Sequence, residues 1–213
     1  MESMSRTERA ALCNTALEAG EQAPTLCGRW TVKDLVIHLL VRERDPLGAP
    51  GIVVPKLERL NEWSARRLAA QDFSSLVERV RSGPPKWSPM SLPPLDRALN
   101  TLEFFVHHED IRRAGTEWEP RELTEREQKV IWKAISTAGK GLVRPSGVPV
   151  EIRWVSEERA SSAVLRSGDD PVVVTGTPAE LAMMLFGREQ YVGLQFDGPE
   201  SSVKKLTSTD LGL

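Results

Sequence analysis

Asn100-Thr101-Leu102-Glu103-Phe104-Phe105-Val106-His107-His108-Glu109-Asp110-Ile111-Arg112-Arg113 is the stretch on which the reading of this chain turns. Leu102, Phe105, Val106 and Ile111 recur at helical spacing, so the segment reads as a helix with one face against a core. Glu103 and His107 are four residues apart. On a helix that spacing stacks two side chains on one face, with Cβ atoms about 5–6 Å apart. A carboxylate and an imidazole so placed can close on one divalent cation. Set among apolar neighbours, such groups are costly to bury unless a metal or hydrogen bonds satisfy them.

The chain holds three histidines, His38, His107 and His108, so His38 is the one remote imidazole that can complete a site. It lies in Trp30-Thr31-Val32-Lys33-Asp34-Leu35-Val36-Ile37-His38-Leu39-Leu40, a second strongly apolar helix. Taken alone, each motif has a plainer reading: a satisfied core histidine for His38, a surface ion pair for Glu103 and His107.

Working outward, residues 4–19 read as an amphipathic helix that Gly20 ends. Thr31 reads as the N-cap of the His38 helix, with Asp34 at the capping-box position and an end near Arg44. Asp45 to Gly51 then forms a loop. Residues 56–81 are helical with a break near Gln71-Asp72-Phe73-Ser74, and a proline-rich connection spans Ser82 to Pro94. A further helix covers 124–142. The pattern changes after Arg144-Pro145-Ser146-Gly147. Val148 to Val155 alternates apolar and polar as a half-buried strand does. Ala163 to Leu165, Pro171 to Thr175 and Tyr191 to Phe196 read as further strands. Pro178 opens a helix that Gly187 stops, and a last helix begins near Glu200. The class is α+β: a helical bundle over residues 1–145, then a small C-terminal domain over 146–213.

Composition narrows the function. The chain has 213 residues, 40% hydrophobic and 27% charged, with a net charge of −2. No global basic field draws it to nucleic acid or anionic lipid. No apolar run approaches the roughly 20 residues that span a bilayer, and the polar N-terminus lacks a signal-peptide core. A cytoplasmic protein is expected. Cys13 and Cys27 form no C-x-x-C pair and read as free thiols. Cys27 lies close in sequence to the His38 helix and is a candidate for lining the site.

Trp30-Thr31-Val32-x-Asp34-Leu35-x-x-His38-Leu39, with Glu103-x-x-x-His107-His108-x-Asp110 far downstream, resembles the mycothiol-dependent maleylpyruvate isomerase family. Gly176-Thr177-Pro178-Ala179-Glu180-Leu181 and Leu185-Phe186-Gly187-Arg188 are similar to that family's small C-terminal α/β domain. The resemblance implies a DinB-like four-helix bundle with zinc held by His38, Glu103 and His107, and mycothiol as thiol cosubstrate in an actinobacterial setting. It implies that His108 and Asp110 do not bind the metal directly; three residues after His107, Asp110 can hold a ligand ring or cap a neighbouring helix. Arg188 matches an element that meets the carboxylate of thiol or substrate; the plain alternative is a solvated helix-end arginine. Where family members carry an Asn-containing stretch, this chain has Arg42-Glu43-Arg44. Arg42, one turn beyond His38, can point at the same cavity and attract an anionic substrate, the plain alternative being a solvated face residue with a packed stem, and the change argues against transferring the isomerase's own substrate.

The implied activity is a zinc-activated thiolate attacking a small electrophile, in a monomer or homodimer. Two rivals stand beside it. One is a zinc hydrolase with Glu109, Asp110 or Asp34 as base. The other is a non-enzymatic metal- or ligand-binding protein.

Overall fold

The structure, a computed structural model, describes residues 3–46, 49, 58–85, 93–156 and 160–211. The expected loop at 47–51, apart from Ala49, the first residues of the helix predicted from 56, and 86–92 of the proline-rich connection lie outside the described residues. The chain divides into two compact units, Met1–Glu119 and Pro120–Leu213.

The first unit is helical. Its elements are α1 (Met4–Ala19), α2 (Val32–Arg44), α3 (Glu58–Ala69), α4 (Phe73–Arg81) and α5 (Pro93–Arg112). Gly20, at φ 86°, closes α1 with its N–H on the Ala16 carbonyl. Thr31 and Asp34 form a capping box at the start of α2. Asp72 breaks the α3–α4 segment and caps α4 by accepting from the Ser75 N–H. Local chemistry therefore sets these boundaries. α1 packs on α4 and α5, and α2 on α3 and α4. The core between them includes Leu12, Cys13, Leu35, Val36, Leu39, Leu40, Leu76, Val77, Val80 and Phe104. Arg9 crosses it from α1. Its guanidinium donates to both carboxylate oxygens of Glu43 on α2, at 2.6 and 2.5 Å, and to the Val80 carbonyl on α4, and it stacks over Phe104 on α5.

The second unit holds α6 (Glu125–Leu142), a 3-10 turn (Arg144–Ser146), β1 (Val150–Val155), β2 (Ala160–Arg166), β3 (Val172–Thr175), α7 (Pro178–Leu185), β4 (Gln195–Asp197) and α8 (Glu200–Ser208). The strands form one mixed sheet in the order β2-β1-β3-β4, with β1 and β3 parallel and the outer pairs antiparallel. Ile152, Trp154, Val172 and Val174 are buried, while Arg153 and Val155 are exposed, as a strand buried on one face requires.

Three details differ from the sequence reading. Periodicity assigns residues 124–142 to the bundle, but α6 packs on α7 and β2, and the boundary falls after Glu119. The close approach is made at Gly139, where a Cβ would stand 2.9 Å from a Leu165 methyl and 3.4 Å from one of Leu185. The last strand is Gln195–Asp197 rather than Tyr191 to Phe196, because the Val192 N–H is taken by the Glu180 carboxylate instead of a neighbouring strand. The second strand runs from Ala160, further than its apolar residues suggest, because main-chain pairing with β1 extends past Ala163 to Ser161 and Ala160. The fold class is α+β. Among the described residues no helix is long and apolar enough to cross a membrane.

Candidate metal centre

One turn of α5 carries Glu103 and His107, and α2 brings His38 against them. The Nε2 atoms of His38 and His107 lie 3.2 and 3.3 Å from the same Glu103 oxygen, Oε1. The two imidazole rings meet edge to face at 5.3 Å, and the half-exposed Trp30 indole stands 5.1 Å from His38. Three ligating atoms thus gather within 4.8 Å of one another, from residues whose side chains are 11 to 18% exposed.

A second ring of contacts orients the first. The Asp110 carboxylate, fully buried, faces His107 Nδ1 from 2.8 Å through Oδ2. The Cys27 thiol donates to the same Oδ2 at 3.0 Å, with its sulfur 3.8 Å from His107 Nδ1. The Leu26 N–H donates to the Asp110 main-chain carbonyl, so the loop before α2 is anchored to α5 at two points. Arg42 sets its Nε 3.5 Å from Glu103 Oε1 and donates from Nη1 to the buried Asn100 Oδ1 at 2.6 Å.

Electrostatics follow from these contacts. Burial pushes His38 below the ordinary imidazole value, opposed by its hydrogen bond to Glu103. Burial works against the Glu103 carboxylate, but hydrogen bonds from His107 and His38 and the charge of Arg42 hold it well below the usual range. His107 is raised well above 6.5: burial opposes the charge, and Asp110, Cys27 and Glu103 outweigh it. A carboxylate at each ring nitrogen favours the imidazolium.

The residues fit a metal. Ligand atoms about 2.0–2.2 Å from a tetrahedral zinc stand roughly 3.3–3.5 Å apart, close to the 3.2 and 3.3 Å observed around Glu103 Oε1. An unprotonated Nε2 and a carboxylate oxygen both present lone pairs, so a contact at that separation holds the hydrogen bond of a protonated nitrogen or, once that proton is gone, a cation. The Asp110 carboxylate can accept from His107 Nδ1–H, which leaves Nε2 as the atom turned to Glu103, an arrangement usual behind metal-bound histidines.

Two solved structures match this one. They are the crystal structure of the mycothiol-dependent maleylpyruvate isomerase and that of a histidine-to-alanine mutant of it. Each superposes with a TM-score of 0.56 at 14% identity, covering 91% of this chain and 90% of the other. The fold is that of the isomerase. No protein-family model and no curated protein sequence matches the chain.

The remaining candidates fall in place around this isomerase-like frame. His108 points away from the centre, its Nε2 3.0 Å from Thr15 Oγ1 and its Nδ1 3.1 Å from Glu8. Glu109 pairs with Arg112 and Arg113, and Asp34 serves the α2 capping box. Arg188 belongs to the second unit, where its Nη1 donates to the Phe186 carbonyl at 2.6 Å. Asn100 and Trp30 were not singled out as site residues from sequence. Asn100 was legible in principle, three residues before Glu103 and so on the same face of α5. The Cys27–Asp110 bond spans 83 residues and leaves no local signal.

Proposed function

We propose that the chain is a zinc-dependent enzyme of the mycothiol-dependent type, in which a low-molecular-weight thiol attacks a small electrophile in a transfer or isomerisation. His38, Glu103 and His107 are the metal ligands. The observation that carries the reading is the single Glu103 oxygen shared by two imidazole nitrogens, in a fold like that of a mycothiol-dependent isomerase. Two neutral imidazoles and one carboxylate leave a divalent ion with net positive charge and a position for an outside ligand. When bound, the metal supplies the charge that keeps a thiol sulfur deprotonated.

The chain's own residues supply the setting. Asp110 retains the Nδ1 proton of His107 and so directs Nε2 to the centre. Arg42, against Glu103, adds a fixed cation beside the site and suits an electrophile bearing negative charge. The electrophile is an activated alkene, an epoxide or a halide.

The hydrolytic alternative needs a general base, and the three nearby acids are otherwise engaged. Asp110 accepts from His107 and Cys27, Glu109 pairs with two arginines, and Asp34 caps α2. Metal analysis of the purified chain followed by calorimetric titration with mycothiol tests the proposal. The expected result is about one zinc per chain, the stoichiometry of a single three-ligand site, with mycothiol binding and proton release only when zinc is present. Ester or amide hydrolysis without any thiol would favour the rival, and absence of zinc binding would end both.

A further inference from the structure

The loop between α1 and α2 does more than connect helices. Its Cys27 is half-buried, and its thiol points at a carboxylate that is entirely enclosed. Asp110 Oδ2 receives the Cys27 S–H and the His107 Nδ1–H on one oxygen atom, at 3.0 and 2.8 Å. The Cys27 S–H helps fix the carboxylate with Oδ2 turned toward Nδ1, so the oxygen is already placed to accept from His107. The grip of Asp110 on His107 is therefore set in part by a residue from another segment. The same loop is bonded through the Leu26 N–H to the Asp110 carbonyl and brings the Trp30 ring, tilted at 45°, beside His38. One short segment thereby touches the surroundings of both imidazoles.

We propose that Cys27 is a positioning residue of the metal centre, acting through Asp110 on His107 rather than binding the metal itself. This rests on the metal-centre reading above. The competing geometry is that Cys27, His107 Nδ1 and Asp110 form a second cluster of ligating atoms. A distance and a chemical argument favour the hydrogen-bonded arrangement. The sulfur is nearer to the carboxylate oxygen than to the imidazole nitrogen, 3.0 against 3.8 Å. And a cation at Nδ1 would take away the proton that Asp110 holds, leaving the Nε2 side with a poorer ligand.

Serine at position 27 keeps a donor of similar reach, whereas alanine removes it. The test compares the full-length wild type with the Cys27→Ser and Cys27→Ala variants, using cobalt(II) as the probe metal. Cobalt dissociation constants come from competition with a chromophoric chelator, and absorption spectra report directly bound sulfur. For Cys27→Ala, affinity is expected to fall by about 10-fold, the low end of the range for groups that orient metal-bound imidazoles. Cys27→Ser should restore it, and the wild-type spectrum should lack a thiolate-to-cobalt charge-transfer band. Wild-type affinity in Cys27→Ala overturns the proposal. So does a charge-transfer band in the wild type that vanishes in Cys27→Ser, because it makes Cys27 a ligand. A wild type that binds no cobalt or zinc refutes the metal-centre reading itself, a result distinct from either. Nitrogen-15 histidine spectra of the metal-free proteins give a further check. His107 should hold its Nδ1 proton in wild type and Cys27→Ser, with altered Nδ1 shifts in Cys27→Ala, and identical spectra in all three count against the proposal.

Discussion

At the scale of single residues, the centre is a set of protons waiting to be exchanged. His107 is held charged above its ordinary range, His38 is pushed toward neutrality, and Glu103 stays ionised. On the proposed reading, zinc would displace a proton from His107 Nε2 and none from the other two. About one proton is expected to leave per zinc at neutral pH, measured by calorimetry in buffers of different ionisation enthalpy. The signs for the metal-free protein follow from the same shifts. The folded value of His107 lies above 6.5, so its stabilisation is complete below that pH and is lost as pH rises through the folded value. Glu103 is depressed, so its stabilisation is present above the ordinary carboxylate range and lost as pH falls through its folded value. Denaturant midpoints of the metal-free wild type should carry an alkaline decline that His107→Gln lacks. Replacing Asp110 by Asn should weaken zinc binding by about 10–100-fold, read by chelator competition.

At the scale of elements, two buried contacts decide how the helices stand. Arg9 joins α1 to α2, α4 and α5 by two ionic hydrogen bonds, a main-chain bond and a stacked ring. Removing Glu43 alone strands that charge in the core. Glu43→Ala should destabilise by about 3–5 kcal/mol, and replacing both partners by apolar residues of similar volume should recover much of the loss. Chemical denaturation of the two variants checks it. In the second unit, Gly139 lets α6 settle on Leu165 and Leu185. Gly139→Ala places a methyl 2.9 Å from Leu165, and the expected cost of about 1–3 kcal/mol for overpacking exceeds the helix-propensity gain. A lower thermal midpoint without loss of metal affinity is the expected result.

At the scale of the molecule, the gathered ligating atoms and their supports all belong to Met1–Glu119, while Arg188 belongs to Pro120–Leu213. Metal affinity should therefore not depend on Arg188. Arg188→Ala is expected to leave zinc affinity unchanged, read by calorimetry on the full chain. A loss of zinc affinity would contradict that division.

What the sequence determined by itself is what local chemistry controls. Thr31 with Asp34, Thr124 with Glu127, and Asp72 begin α2, α6 and α4, because a cap bonds to main-chain groups two or three residues away. The pairing of Glu103 with His107 on one face has the same origin, a helical turn. Tertiary structure alone decided what distant segments share. The apolar face of α6 fits any complementary surface, and periodicity does not say whether that surface is a helix or a sheet. The approach of His38 to Glu103 across 65 residues, and of Cys27 to Asp110 across 83, depends on packing of the whole first unit. No short-range preference encodes such contacts, because they form only when the enclosed carboxylates must find donors that the core leaves within reach.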